Sequence, residues 1–136
     1  MTPSTILESA LYVTDLVAAE AFYRDVLGLA LVGKVEGRHA FFRCGNGILL
    51  IFNAEATEVP PAPDAKLPVP PHGSRGPGHL CFSATAEEIE RWKAVLTAKG
   101  TAVEADFEWP QGGRSIYFRD PSGNSLEFAE PRIWGL

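Results

Sequence analysis

The chain has 136 residues, 46% apolar and 21% charged, which suits one domain with a real core and leaves little room for two. Its 12 Lys and Arg against 17 Asp and Glu give a formal net charge of −5, which argues against a general nucleic-acid binder, because affinity for phosphates is carried mostly by basic residues. No apolar run approaches the roughly 18 residues of a spanning helix. The segment Met1-Thr2-Pro3-Ser4-Thr5 has no basic region before an apolar stretch, and Cys44 and Cys81 form no CxxC pair. The expectation is a cytoplasmic chain with no membrane partner, no disulfide scaffold and no cysteine zinc site.

Residues 6–13 read as a strand, with Glu8 as the only charge. Thr14-Asp15 offers a helix cap, and Leu16, Ala19, Tyr23, Val26 and Leu27 recur at helical spacing, so residues 15–27 read as an amphipathic helix closed by Gly28. Strands follow near 30–35, 39–43 and 48–53, divided by the turn signals Glu36-Gly37-Arg38 and Gly45-Asn46-Gly47. Residues 54–78 hold most of the prolines and little periodicity, which suits an extended connector or a flap.

The order then repeats. Residues 79–84 read as a strand, and Thr85-Ala86-Glu87-Glu88 is a capping box. Ile89, Trp92, Val95 and Leu96 give the apolar stripe of a helix ended by Gly100. Strands follow near 102–108, 115–119 and 125–129, the last two joined by Asp120-Pro121-Ser122-Gly123-Asn124. Phe42, Gly47 and Phe52 each precede Phe118, Gly123 and Phe128 by the same interval, and Glu8 matches His79. The agreement in order predicts a duplicated βαβββ module, with module one about 5–53, a connector over 54–78 and module two about 79–130 in a single α+β domain.

Strand side chains alternate between faces. The alternation turns Glu8, His79 and Glu127 away from the helices. A carboxylate among apolar strand neighbours is costly unless solvated, paired or bound to a metal. Two carboxylates and an imidazole form a plausible divalent-metal site, the alternative being separate solvation or pairing with arginine. His39, beside Phe41 and Phe42, and His72, in the connector, are candidate bases, although such histidines are more often polar residues with a partner. Cys81 shares the His79 face and is expected to be a buried, inert thiol.

Two segments carry a resemblance. They are Tyr12-Val13-Thr14-Asp15-Leu16 with Ala21-Phe22-Tyr23-Arg24-Asp25-Val26-Leu27-Gly28-Leu29, and Ser115-Ile116-Tyr117-Phe118-Arg119-Asp120-Pro121-Ser122-Gly123-Asn124-Ser125-Leu126-Glu127-Phe128. In these the sequence resembles the vicinal oxygen chelate superfamily of glyoxalases, fosfomycin-resistance thiol transferases, extradiol dioxygenases, epimerases and bleomycin-resistance proteins, over about residues 6–131. The resemblance implies a curved mixed sheet enclosing a cleft and a homodimer with sites between modules, so that Glu8 can come from a different subunit than His79 and Glu127. It implies metal ligands on the first and fourth strands of each module, here Glu8, His79 and Glu127, with Ile51 in a fourth slot that cannot bind metal. The ion is Mn²⁺, Fe²⁺, Ni²⁺, Co²⁺, Mg²⁺ or Zn²⁺, the carboxylate-rich set leaning toward the harder ones.

Tyr117 matches a substrate-contacting tyrosine of the fosfomycin-resistance enzymes and would donate to an oxyanion, and Arg114 would hold an anionic group. Tyr12, Ile51, Ser115 and Trp109 would line the substrate cleft. The implied function is a metal-dependent enzyme that chelates vicinal oxygens of a small substrate as a lyase, isomerase, thiol transferase or dioxygenase. The alternative is a metal-free small-molecule binding protein of the bleomycin-resistance type.

Overall fold

The computed structural model describes residues 1–136, which separate into two compact units, Met1–Gly76 and Pro77–Leu136. The connector residues up to Gly76 therefore belong to the first unit. No helix is long and apolar enough to cross a membrane.

The first unit runs β1 (Glu8–Tyr12), α1 (Leu16–Ala21), β2 (Ala30–Val35), β3 (His39–Cys44), β4 (Gly47–Phe52) and a short α2 (Ala54–Thr57). Its sheet has the order β1-β4-β3-β2, with β1 parallel to β4 and the other pairs antiparallel. Asp15 caps α1, its carboxylate accepting from the Ala18 N–H at 3.0 Å. The continuous helix read over 15–27 is not regular. From Phe22 to Val26 it widens into a π-helical turn, with the Leu27 N–H reaching back five residues to the Phe22 carbonyl. Phe22 and Tyr23, three and four residues after the buried Ala19, share its face and enter the core. Leu11, Val13, Phe42, Leu49 and Ile51 supply the sheet side of that core.

The second unit repeats the plan with β5 (His79–Ser83), α3 (Ala86–Ala98), β6 (Ala105–Glu108), β7 (Arg114–Arg119) and β8 (Ser125–Ala129), ending in a 3₁₀ turn at Pro131–Trp134. The sheet order is β5-β8-β7-β6. Both halves of the expected capping box form: Thr85 accepts from the Glu88 N–H, and the Glu88 carboxylate accepts from the Thr85 N–H at 2.8 Å. Ile89 and Leu96 are buried with Ile116, Phe118, Leu126 and Phe128, and Trp92 stacks on Phe128 with ring centres 4.5 Å apart.

The duplication extends to single backbone hydrogen bonds. Ile48 N–H to Leu7 C=O in the first unit is repeated by Ser125 N–H to Gly78 C=O in the second. Val13 to Phe52 is likewise repeated by Ala84 to Ala129. These bonds equate Glu8 with His79, and they correct one assignment. The turn before the last strand is one residue longer in the second unit, so the interval that aligns Phe42 with Phe118 no longer holds on β4 and β8. Leu50, not Ile51, is the counterpart of Glu127.

Candidate metal centre

In the second unit the sheet face turned away from α3 gathers His79 from β5, Glu127 from β8 and Tyr117 from β7. The Asp120–Asn124 turn sets their relative position. One Asp120 oxygen accepts from the Ser122 and Asn124 N–H groups, each at 2.9 Å, and the other accepts from the Asn124 side-chain amide at 2.8 Å. So oriented, the Asn124 carbonyl oxygen accepts from the Gly78 N–H at 2.7 Å. One side chain at the start of β8 thus pins the residue that precedes His79, and Glu127 follows two strand residues beyond Ser125. The turn motif is plain in the sequence; the role of Asn124 in fixing β5 is not, because its partner lies 46 residues away.

Glu127 is 5% exposed. Its Oε2 lies 3.3 Å from His79 Nε2, and its Oε1 is buried with no hydrogen-bond partner. His79 Nδ1 lies 3.0 Å from the Ser125 carbonyl, which can only accept. Nδ1 therefore carries a proton, and Nε2 is the nitrogen turned toward the carboxylate. A buried carboxylate with an orphaned oxygen, set beside an imidazole nitrogen, forms an arrangement that a cation relieves. The donor set fits a divalent ion: one imidazole nitrogen and a carboxylate, oriented by a second-shell carbonyl. No group of three His, Cys, Asp or Glu side chains is gathered in the chain.

Glu8 belongs to the first unit. It is the first residue of β1, exposed, and free of any ion pair or hydrogen bond of its side chain. Glu8 and His79 both begin their strands, so the cost of a charge in mid-strand falls on Glu127 alone.

Tyr117 lies across from Glu127 in the β7–β8 ladder, and its ring stacks with His79 at 6.2 Å between centres. Burial, and then the Glu127 carboxylate, push its phenol up to about 12, so the hydroxyl stays protonated and able to donate. Phe107 stacks on the other side of Tyr117 at 5.8 Å, and Trp109 meets Phe107 edge-on. This row of rings forms an apolar wall beside the two donors. Ser115 is fully buried, its hydroxyl accepting from Trp109 Nε1 at 2.8 Å, so it supports the wall from beneath and exposes nothing. Cys81 is the cross-strand partner of Glu127; surrounding atoms and that carboxylate push its thiol up to about 12, which leaves it inert at neutral pH.

Two expected site residues are placed elsewhere. Arg114 points to the α3 side, where its guanidinium grips Asp106 through two hydrogen bonds of 2.7 and 2.8 Å and also binds Glu90 on α3. Its fork is filled by structural carboxylates. Ile51 is fully buried between Leu11 and Ala40 in the core of the first unit and lines no surface. Tyr12 lies in that unit too, its hydroxyl 2.6 Å from His72 Nδ1.

Comparison with known proteins gives a consistent result. The model of the Glyoxalase/Bleomycin resistance protein/Dioxygenase superfamily matches residues 5–128. Glutathione transferase FosA of Serratia marcescens is 29% identical over 120 residues, covering 86% of this chain and 74% of that protein. Virulence protein STM3117 of Salmonella typhimurium is also 29% identical, over 123 residues, 88% of this chain and 79% of that one. A crystal structure described as lactoylglutathione lyase from Agrobacterium tumefaciens is similar with a TM-score of 0.92 and 46% identity over 100% of both chains.

Proposed function

The chain belongs to the glyoxalase/bleomycin resistance protein/dioxygenase superfamily, and from that membership we propose that it is a divalent-metal enzyme acting on a small substrate with adjacent oxygens. His79, Glu127 and Glu8 hold the ion, with Glu8 delivered by β1 of a second copy in a homodimer. What carries this reading is Glu127, a buried carboxylate with an unpartnered oxygen beside the Nε2 of an imidazole. When bound, a divalent ion there supplies Lewis-acid polarisation of paired substrate oxygens.

The protein's own groups divide the remaining work. Phe107, Tyr117 and Trp109 pack against the substrate's carbon body and exclude water from one side. The Tyr117 hydroxyl, protonated at every working pH, donates to the oxygen on which negative charge develops. The place equivalent to Glu127 in the first unit is Leu50, which can neither bind a metal nor shuttle a proton. That favours attack on, or opening of, an activated substrate over a proton shuttle between neighbouring carbons. Two relatives named for a reaction, the glutathione transferase and the lactoylglutathione lyase, both handle glutathione, so glutathione-linked chemistry is the first to assay.

The test is equilibrium dialysis of chelator-stripped protein against Mn²⁺, Fe²⁺, Co²⁺, Ni²⁺, Zn²⁺ and Mg²⁺ in turn, with Glu127→Ala and His79→Ala alongside. Stoichiometric uptake of at least one ion, lost from both variants, is expected. Equal uptake by wild type and variants would sink the proposed site. No uptake of any ion would turn the reading to a metal-free small-molecule binding protein, recognisable by stoichiometric ligand binding that chelator leaves unchanged.

A further inference from the structure

The first unit carries a second cluster of chemistry-bearing side chains, built around Phe52. His72 and Tyr12 lie against that ring at 4.7 and 5.9 Å between centres, Phe41 at 5.3 Å and His39 at 6.0 Å. The Arg38 guanidinium carbon sits 5.9 Å above it. Phe52 itself is 6% exposed, while Tyr12, Arg38, His39, Phe41 and His72 are half-buried around it.

The hydrogen bonds inside the cluster fix where its protons point. Arg38 can only donate, so at 2.9 Å His39 Nδ1 accepts from it, and the ring keeps its N–H at Nε2. Burial and the neighbouring guanidinium hold the His39 pKa below the ordinary value, so the ring is neutral. Burial pushes the Tyr12 phenol up, and its hydroxyl is hydrogen-bonded to His72 Nδ1 at 2.6 Å. A bond from the His72 backbone N–H to the Thr57 carbonyl ties this part of the connector to α2.

The cluster thus offers the free N–H groups of one guanidinium, the His39 Nε2–H and the His72 ring around an aromatic floor, and none of these members is a carboxylate. Most arginines of this acidic chain grip a carboxylate, whereas Arg38 makes no ion pair. Two acids near the cluster along the chain are engaged elsewhere: Glu36 binds Lys34 at 2.9 Å, and Glu58, whose side chain packs against Gly73, binds Arg75 at 2.6 Å. A planar cationic fork left without an ion pair beside two imidazoles is suited to an oxyanion, and a floor of rings is suited to flat or apolar carbon.

We propose that Arg38, His39 and His72, over the Phe52 floor, form a binding site for a small organic carboxylate borne on a flat or apolar body. The site selects against cations, which find no negative partner there. It stands on the first unit alone and needs neither the metal nor Glu127.

The probe is benzoate, with benzamide as its neutral counterpart, titrated into metal-stripped protein labelled with ¹⁵N in histidine. The imidazole resonances report the site, because each histidine is identified by its own variant. Benzoate is expected to shift His39 and His72 saturably and to spare His79, with benzamide at least about tenfold weaker. Arg38→Gln is expected to weaken benzoate by about tenfold or more, and His72→Ala to weaken it independently. Equal binding of benzamide, shifts confined to His79, or wild-type affinity in both variants would overturn the proposal. Because no metal is present, that failure leaves the metal-dialysis result untouched, and failure of the dialysis leaves this one untouched.

Discussion

Asn124 binds the chain on both sides of the candidate centre: its amide group donates to Asp120, its carbonyl oxygen accepts from Gly78, and the whole residue is 1% exposed. Removing it takes one hydrogen bond each from the buried Asp120 carboxylate and the Gly78 N–H. Asn124→Ala is expected to destabilise the fold by about 2 kcal/mol, the scale of a buried group left unsatisfied, as read from urea unfolding. It is also expected to weaken metal uptake, because β5 would lose its fixed register next to Glu127, whereas a surface change such as Lys99→Ala alters neither. Individual residues were unevenly legible in the sequence. Strand alternation alone turned His79 and Glu127 to one face, and the structure joins them at 3.3 Å. Alternation also turns Arg114 to the other face, since Ser115 and Tyr117 line the Glu127 side, but a loop-edge arginine beside two glycines looks free until its distant partners Asp106 and Glu90 are known. Arg38 and His72 were obscured for the same reason: what matters about them is a shared neighbour, Phe52, that no local pattern reveals.

Secondary-structure elements were legible wherever their ends carry chemistry. The Thr85 capping box and the Asp15 cap begin their helices where the sequence places them, and Gly100, at φ +74°, ends α3 in a conformation that L side chains avoid. The π-helical turn after α1 was not legible, because the buried residues Ala19, Phe22 and Tyr23 keep the spacing of a regular α-helix. The Arg114 cluster likewise works between elements, joining β6, β7 and α3 through Asp106, Glu90 and Lys93. Hydrogen bonds from Arg114 and then Lys93 hold the Asp106 carboxyl well below the usual carboxylate range. A carboxylate whose folded pKa is depressed contributes stability above its unfolded pKa of about 3.9 and loses it as pH falls toward the folded value. Asp106→Asn is therefore expected to cost about 1 kcal/mol at pH 7, discounted because the pair is part-exposed, and progressively less below about pH 4. Urea unfolding of both proteins at pH 7 and pH 3 measures the difference, and a gap that widens on acidification would contradict this account.

The two units repeat each other down to equivalent backbone hydrogen bonds, yet they are chemically unlike: Glu127 against Leu50, His79 against Glu8, Tyr117 against Phe41. The second unit holds a nitrogen and a buried carboxylate, and the first holds an exposed carboxylate at the start of an edge strand. β1 and β5 each pair on one side only within their own sheets, and Cys81 and Ser83 on β5 are exposed. In the homodimer of the proposed function, Glu8 of one chain meets the donors of the other, in a two-fold assembly with two equal sites. The arrangement can be read directly from a mixed dimer. Glu8→Gln and Glu127→Gln chains carrying different tags are co-expressed and purified through both tags, so that every molecule recovered holds one of each. If Glu8 acts across the dimer, both lesions fall in one site and the other is intact, so about half the wild-type metal uptake is expected, while each variant alone takes up none. If Glu8 acts within its own chain, each site carries one lesion and the mixed dimer stays empty. Failure to recover any doubly tagged protein would remove the dimer itself, and with it the placement of Glu8 in the centre.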